Sequence, residues 1–161
     1  METNSLDAHN RKILSKRFYS SRSIGYLLGC MPIGTTFYQH GVGVPYWICL
    51  VLVCSICPSF AYFVAIHSKH QNKAELKNFN IDAFWMSMSI PMMSFSFLPS
   101  VTIVEMYLLT IIAAAGLKFL VKNILYFILG IIILLPFVGI HAKYELDPII
   151  AISCIPPILL Y

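Results

Sequence analysis

Six apolar runs, separated by short polar intervals, leave this chain few ways to fold in water. They are Ile24–Tyr38, Pro45–Ile66, Ile81–Phe97, Pro99–Ala115, Leu117–Ile140 and a last run that begins at Pro148. A membrane-crossing helix needs about 20 apolar residues, with a range of roughly 17–25. Strands of a membrane barrel would instead alternate apolar and polar residues over about 10 positions. These runs do not alternate, so the chain is predicted to be an all-α integral membrane protein, a bundle of about six transmembrane helices. Backbone groups in hydrocarbon must be bonded internally. Pro32, Pro58, Pro91, Pro136, Pro156 and Pro157 therefore mark expected kinks. Composition agrees: 11% of the 161 residues are charged, against about 25% in soluble domains.

Basic residues set the expected orientation, because cytoplasmic loops are enriched in Lys and Arg. Arg11, Lys12, Lys16, Arg17 and Arg22 precede the first run, Lys69, Lys73 and Lys77 follow the second, and Lys118 and Lys122 follow the fourth. On the other side only Lys143 is expected, beside Glu145 and Asp147. This places the N-terminus in the cytoplasm. Residues 1–23 read as a cytoplasmic basic N-terminal arm and residues 24–161 as one six-helix membrane domain. The last run spans about 21 Å at 1.5 Å per residue, short of a core of about 30 Å. It reads as a truncated helix with a cytoplasmic domain expected beyond it.

Cys30, Cys49, Cys54, Cys57 and Cys154 all fall in apolar runs. An odd number inside predicted helices is no disulfide framework, and they are expected to act as small buried hydrophobes. Cys54 and Cys57 share a helical face, but apolar flanks do not favour a reactive thiol. His67 and His70 are too isolated from the other histidines to suggest a metal site, and Met86, Met88, Met92 and Met93 read as adaptable packing. No catalytic residue, metal site or cofactor is expected, and no nucleic-acid partner.

Glu105 is the sharpest isolated candidate. It lies within an apolar run, where acids usually face the bundle interior and carry function, although a side chain this near Pro99 could instead reach the outer interface. Asp82 is expected in the first turn of the third helix, with Asn80 as its cap and Lys73 or Lys77 as its ionic partner. Glu75 would join them in a polar cluster at the cytoplasmic surface.

An ordered set of short motifs carries a resemblance. Tyr38-Gln39-His40 and Pro45 close the first helical hairpin, and Cys57-Pro58-Ser59-Phe60-Ala61-Tyr62 follows. Next come Ala74-Glu75, Asn78, Ile81-Asp82-Ala83, Leu98-Pro99-Ser100 as a hairpin turn, and Ala115-Gly116 with Lys118. The set resembles the membrane-associated sensor 2 family, the N-terminal membrane domain of some bacterial diguanylate and adenylate cyclases. Cys57, Ser59 and Thr110 depart from the residues usual there. The resemblance implies a membrane-embedded signal-input and dimerisation domain in the bacterial inner membrane. Its partners would be the lipid bilayer, a second copy and a downstream nucleotide cyclase domain that regulates cyclic nucleotide levels. Residues and resemblance together mark Glu105, Asp82, Glu75, Asn78, Pro58 and Pro99 as candidates for signal sensing or helix coupling. The rival reading is a small transporter or channel subunit with Glu105 on the ion path.

Overall fold

The computed structural model describes residues 2–68, 70–138 and 147–160; the side chains of residues 2–18 and of residue 72 are not described. The described residues form six helices: α1 (Glu2–Gln39), α2 (Val44–His67), α3 (Gln71–Met92), α4 (Phe97–Ala115), α5 (Leu117–Val138) and α6 (Pro148–Leu160). No strand occurs among the described residues. Among the described residues three helices, α2, α4 and α5, are long and apolar enough to cross a membrane, and α6 is a shorter apolar helix of 13 residues. Lys69, His141, Lys143 and Glu145 lie outside the described residues.

The four helices read from apolar runs alone begin within two residues of the expected positions. The other two are longer than their apolar runs. The backbone of α1 is helical through the whole basic arm, with no break near residue 23. α3 starts at Gln71, ten residues before its apolar run, with His70 as its N-cap. The polar start of α3 is helical because one face is buried: Ala74, Glu75, Asn78 and Phe79 are each less than 9% exposed. Asn80 is therefore not a cap, and Asp82 lies well inside the helix rather than in its first turn.

The hairpin between α3 and α4 also differs from the expected Leu98-Pro99-Ser100 turn. The chain reverses at Met93–Ser96, where Ser94 and Phe95 adopt φ of 54° and 53°. The Ser94 N–H donates to the Pro91 carbonyl (2.8 Å) and the Phe95 N–H to that of Ile90 (3.1 Å), satisfying two carbonyls in the last turn of α3. Leu98 and Pro99 belong to the first turn of α4, where a helix has N–H groups without partners and proline loses nothing. Gly116, with φ of 77° and ψ of 173°, ends α4 in a positive-φ conformation that suits glycine, and α5 begins at the next residue.

α3 is the packing centre. Its Phe79, Ala83 and Ile90 join Tyr107 and Ile111 of α4 and Leu120 and Phe127 of α5 in the main core. A second cluster joins Ile33 and Phe37 of α1 to Met93 and to Ile103 of α4. α6 buries Ile150, Cys154 and Pro157, and its Ser153 hydroxyl lies 2.7 Å from that of Thr35 on α1. Many large apolar side chains instead point outward, among them Phe60 and Phe63 of α2, Leu125 and Ile132 of α5, and Leu159 of α6. An apolar exterior of this extent suits hydrocarbon rather than water.

Candidate functional site

Arg22 and Tyr26 are one turn apart on α1, and Glu75, Asn78, Phe79 and Asp82 share one face of α3. The two faces meet. The Arg22 Nε–H donates to Asp82 Oδ2 (2.7 Å) and its Nη2–H to Glu75 Oε2 (3.2 Å). The Tyr26 hydroxyl donates to Asp82 Oδ1 (2.8 Å). Only 5% of the Arg22 side chain is exposed, with 6% of Glu75 and 10% of Asp82. The guanidinium also sits 5.2 Å from the centre of the Phe79 ring, where the ring's negative face favours a cation. Charges this deeply buried persist only when paired and hydrogen-bonded. Pairing here is incomplete: Arg22 Nη1 and Glu75 Oε1 have no hydrogen-bond partner among the described residues.

Two further polar links leave the same stretch of α3. The Asn78 side-chain N–H donates to the Ala61 carbonyl of α2 (2.9 Å), one turn beyond the buried Pro58. On another face, Asn80 Oδ1 accepts from Asn123 of α5 (2.7 Å), whose own Oδ1 accepts from the Tyr107 hydroxyl of α4 (2.5 Å). Residues 75–82 of α3 are thus tied by polar side chains to α1, α2 and α5, and through Asn123 to α4. The same bonds bring the start of α3, the start of α5 and residue 22 of α1 to one end of the bundle. Lys73, Lys77, Lys118 and Lys122 are exposed there.

Of the residues singled out from sequence, Glu75, Asn78 and Asp82 come together, with Pro58 close by on α2. The expected partners of Asp82 do not: Lys73 and Lys77 face outward, and the cation is Arg22. Glu105 does not face the interior. Thr102, Ile103, Met106 and Tyr107 form the buried face of α4, and Glu105 is exposed on the other side. Pro99 is buried at the start of α4, far along the chain from the cluster. Sequence reasoning missed Arg22 and Tyr26. Arg22 was counted only as an orienting charge, although the four-residue spacing to Tyr26 and the seven-residue spacing of Glu75 to Asp82 each define one helical face. The cysteines bring another correction. Cys30 of α1 and Cys54 of α2 are joined as a disulfide, while Cys49, Cys57 and Cys154 are free. No group of three or more His, Cys, Asp or Glu side chains suited to a metal occurs among the described residues.

Residues 17–105 match the MASE2 domain. The chain belongs to the MASE2 family. The match contains every member of the charged cluster, Arg22, Tyr26, Glu75 and Asp82, together with Pro58 and Asn78. MASE2 domains are non-catalytic membrane sensor domains of cyclases, and the apolar helices α2, α4 and α5 fit that setting. The chain is also similar to the "Probable diguanylate cyclase DgcC" of two Escherichia coli strains, at 24% identity over 149 residues. The alignment covers 91% of this chain and 40% of each relative, so the chain spans well under half the length of the curated relatives it matches. No solved structure matches this MASE2 chain.

Proposed function

We propose that the chain is the signal-input and dimerising membrane domain of a cytoplasmic diguanylate cyclase, with six membrane-crossing helices and its N-terminus in the cytoplasm. The observation that carries this reading is a buried, incompletely paired charged junction between α1 and α3, in a chain of a sensor family. A signal can shift a conformational equilibrium only through contacts that differ between states. The junction provides such contacts, because sliding or turning α1 against α3 must exchange buried ionic bonds. α6, docked on α1 through Ser153 and Thr35, is suited to pass that movement on. Cyclase domains act in pairs, so two copies of the bundle would set their relative placement.

The test is a fusion to a diguanylate cyclase domain. Asp82→Asn is expected to change cyclic dinucleotide output by about fivefold or more, a typical size for coupling between sites. Glu105→Gln, on the outer face of α4, is expected to leave output nearly unchanged. Wild-type output from a folded Asp82→Asn protein would reduce the domain to an inert anchor. The transporter reading loses support from the outward position of Glu105, and ion flux in liposomes carrying the chain alone would revive it.

The orientation has its own check. Single cysteines placed near Lys12, Lys73 and Lys118 on a cysteine-free background are expected to be labelled only from the cytoplasmic side. Labelling of the Lys73 position from outside would overturn the six-span arrangement.

A further inference from the structure

α6 packs on both α1 and α4, and two contacts fix its level on them. The Ser153 hydroxyl lies 2.7 Å from that of Thr35 on α1. The next residue, the buried Cys154, faces Thr102 of α4. Pro157, one turn further on, is still fully buried. Running toward the Gln39 end of α1, it would lie instead beside Tyr38 and Gln39, which are exposed. α6 therefore runs the other way, toward Arg22, antiparallel to α1 and parallel to α4. Its last described residue, Leu160, falls opposite Leu28 of α1 and Leu108 of α4.

Immediately beyond that level lies a cavity of about 430 Å³ between α1, α3 and α4. Its α1 wall includes Ser21, Gly25 and Tyr26, and its α4 wall includes Leu109, Ala113 and Ala114. These are the residues that the next two turns of α6 would pass. Burial agrees. Thr102, Met106, Leu109 and Ala113 recur at helical spacing along one stripe of α4. Thr102 and Met106, beside α6, are 1% and 2% exposed, whereas Leu109 is 42% exposed and Ala113 is exposed too. On α1, Leu28 is buried at the level of Leu160, and Ser21, seven residues earlier on the same stripe, is exposed. Each stripe opens where α6 stops. Glu105 is exposed off the α4 stripe and takes no part in the cavity wall. Gly25, Ala113 and Ala114 keep the walls low, as close packing of membrane helices requires.

We propose that this cavity is the docking groove for the continuation of α6, whose first two turns after Tyr161 lie there between α1 and α4. Arg22, Tyr26 and Asp82 are in the same wall, so the continued helix passes over the charged junction. The proposal rests on the reading in which a cyclase domain follows this chain, and adds the route of coupling. A shift of α1 against α3 reshapes the groove and moves the output helix directly, without relying on the Thr35–Ser153 contact alone.

The test uses the full chain joined through a continued helix to a diguanylate cyclase domain, on a cysteine-free background. Ala113→Cys or Ser21→Cys is combined with a single cysteine at successive positions of the first turns after Tyr161, and isolated membranes are oxidised with copper phenanthroline. Cross-links are expected at every third or fourth position, centred at about position 165 for Ala113→Cys and about position 167 for Ser21→Cys. A uniform pattern, or none, would overturn the proposal. So would an Ala113→Cys cross-link between two copies, which would give the groove to a second bundle. Equal reaction of Ala113→Cys with a lipid-soluble maleimide, with and without the continuation, would give it to lipid and also overturn the proposal. Ala113→Phe fills the groove from an exposed position. It should abolish the Ser21→Cys cross-link and change cyclic dinucleotide output by about fivefold or more. Cross-linking in a fusion whose output ignores both Ala113→Phe and Asp82→Asn would leave the groove standing and remove the sensor reading. Output that answers to Asp82→Asn with no cross-link at any position would remove the groove and leave the sensor.

Discussion

Arg22→Ala is expected to be the most damaging change at the junction, lowering stability by about 3–5 kcal/mol. The arginine does more than join two helices. Without it, among the described residues, Asp82 keeps only the Tyr26 hydroxyl and Glu75 loses its one ionic contact, both in surroundings that exclude water. The cost is mainly that of stranded negative charge, not of a lost attraction. This has a consequence that separates it from loss of packing. Adding Asp82→Asn and Glu75→Gln to Arg22→Ala should recover a large part of the stability, because neutral amides need no counter-charge. In the presence of Arg22 the same two changes should be destabilising together, since they strand the cation instead. Such opposite signs in one cycle reveal direct coupling between the residues. Melting in detergent, followed by loss of helical signal, is the measurement. A triple variant no more stable than Arg22→Ala alone would show that Arg22 acts through its packing on Phe79.

Asp82 shows how a sequence can reveal a residue and hide its role. An acid at the edge of an apolar run attracts attention, and the nearest cations along the chain are Lys73 and Lys77. Those lysines share its helix but not its face. The true partner comes from 60 residues earlier, a pairing that depends on which face α1 turns toward α3. Hydropathy also located α2, α4, α5 and α6 closely, because their helices and their apolar runs coincide. It placed the start of α3 too late for a definite reason. Residues 71–80 bury one face among neighbouring helices and need no hydrocarbon to be helical, so their mean hydropathy says nothing of their structure.

Glu105 is the opposite lesson. Its depth in an apolar run suggested an inward-facing acid, but depth along a helix does not define direction around it. The buried positions Thr102, Ile103, Met106 and Tyr107 recur at helical spacing and leave residue 105 on the far side. That pattern was present in the sequence. It was hidden because α4 is apolar on both faces apart from Glu105, so hydropathy alone could not distinguish its inner face from its outer one.

Gly130→Ala is expected to destabilise the bundle even though alanine is the better helix former. In a helix interior, alanine gains about 1 kcal/mol over glycine from backbone propensity. Gly130 is buried where α5 crosses α3, and a Cβ there would lie 2.5 Å from the Phe84 carbonyl oxygen and collide with the Ser87 hydroxyl. The hydroxyl could rotate away, at the expense of the bond it donates to that same carbonyl (2.8 Å). The carbonyl belongs to the α3 backbone and can move only if the helices separate. Separation would strain the Asn80–Asn123 bond, seven residues from Gly130 on α5, and the contacts of Phe127 with the main core. Overpacking of this kind costs about 1–3 kcal/mol and exceeds the propensity gain. Gly130→Leu should be worse, and Ser87→Gly should rescue Gly130→Ala only in part, because the carbonyl obstacle remains. Gly29 of α1 is the control. A Cβ there would meet Ile103 Cδ1 at 3.5 Å, an ordinary contact, so Gly29→Ala should be neutral or stabilising. Detergent melting temperatures that fall for Gly130→Ala and hold or rise for Gly29→Ala would support the close α3–α5 crossing. A neutral Gly130→Ala would mean that α5 packs farther from α3 than this arrangement requires, with the Asn80–Asn123–Tyr107 chain correspondingly loosened.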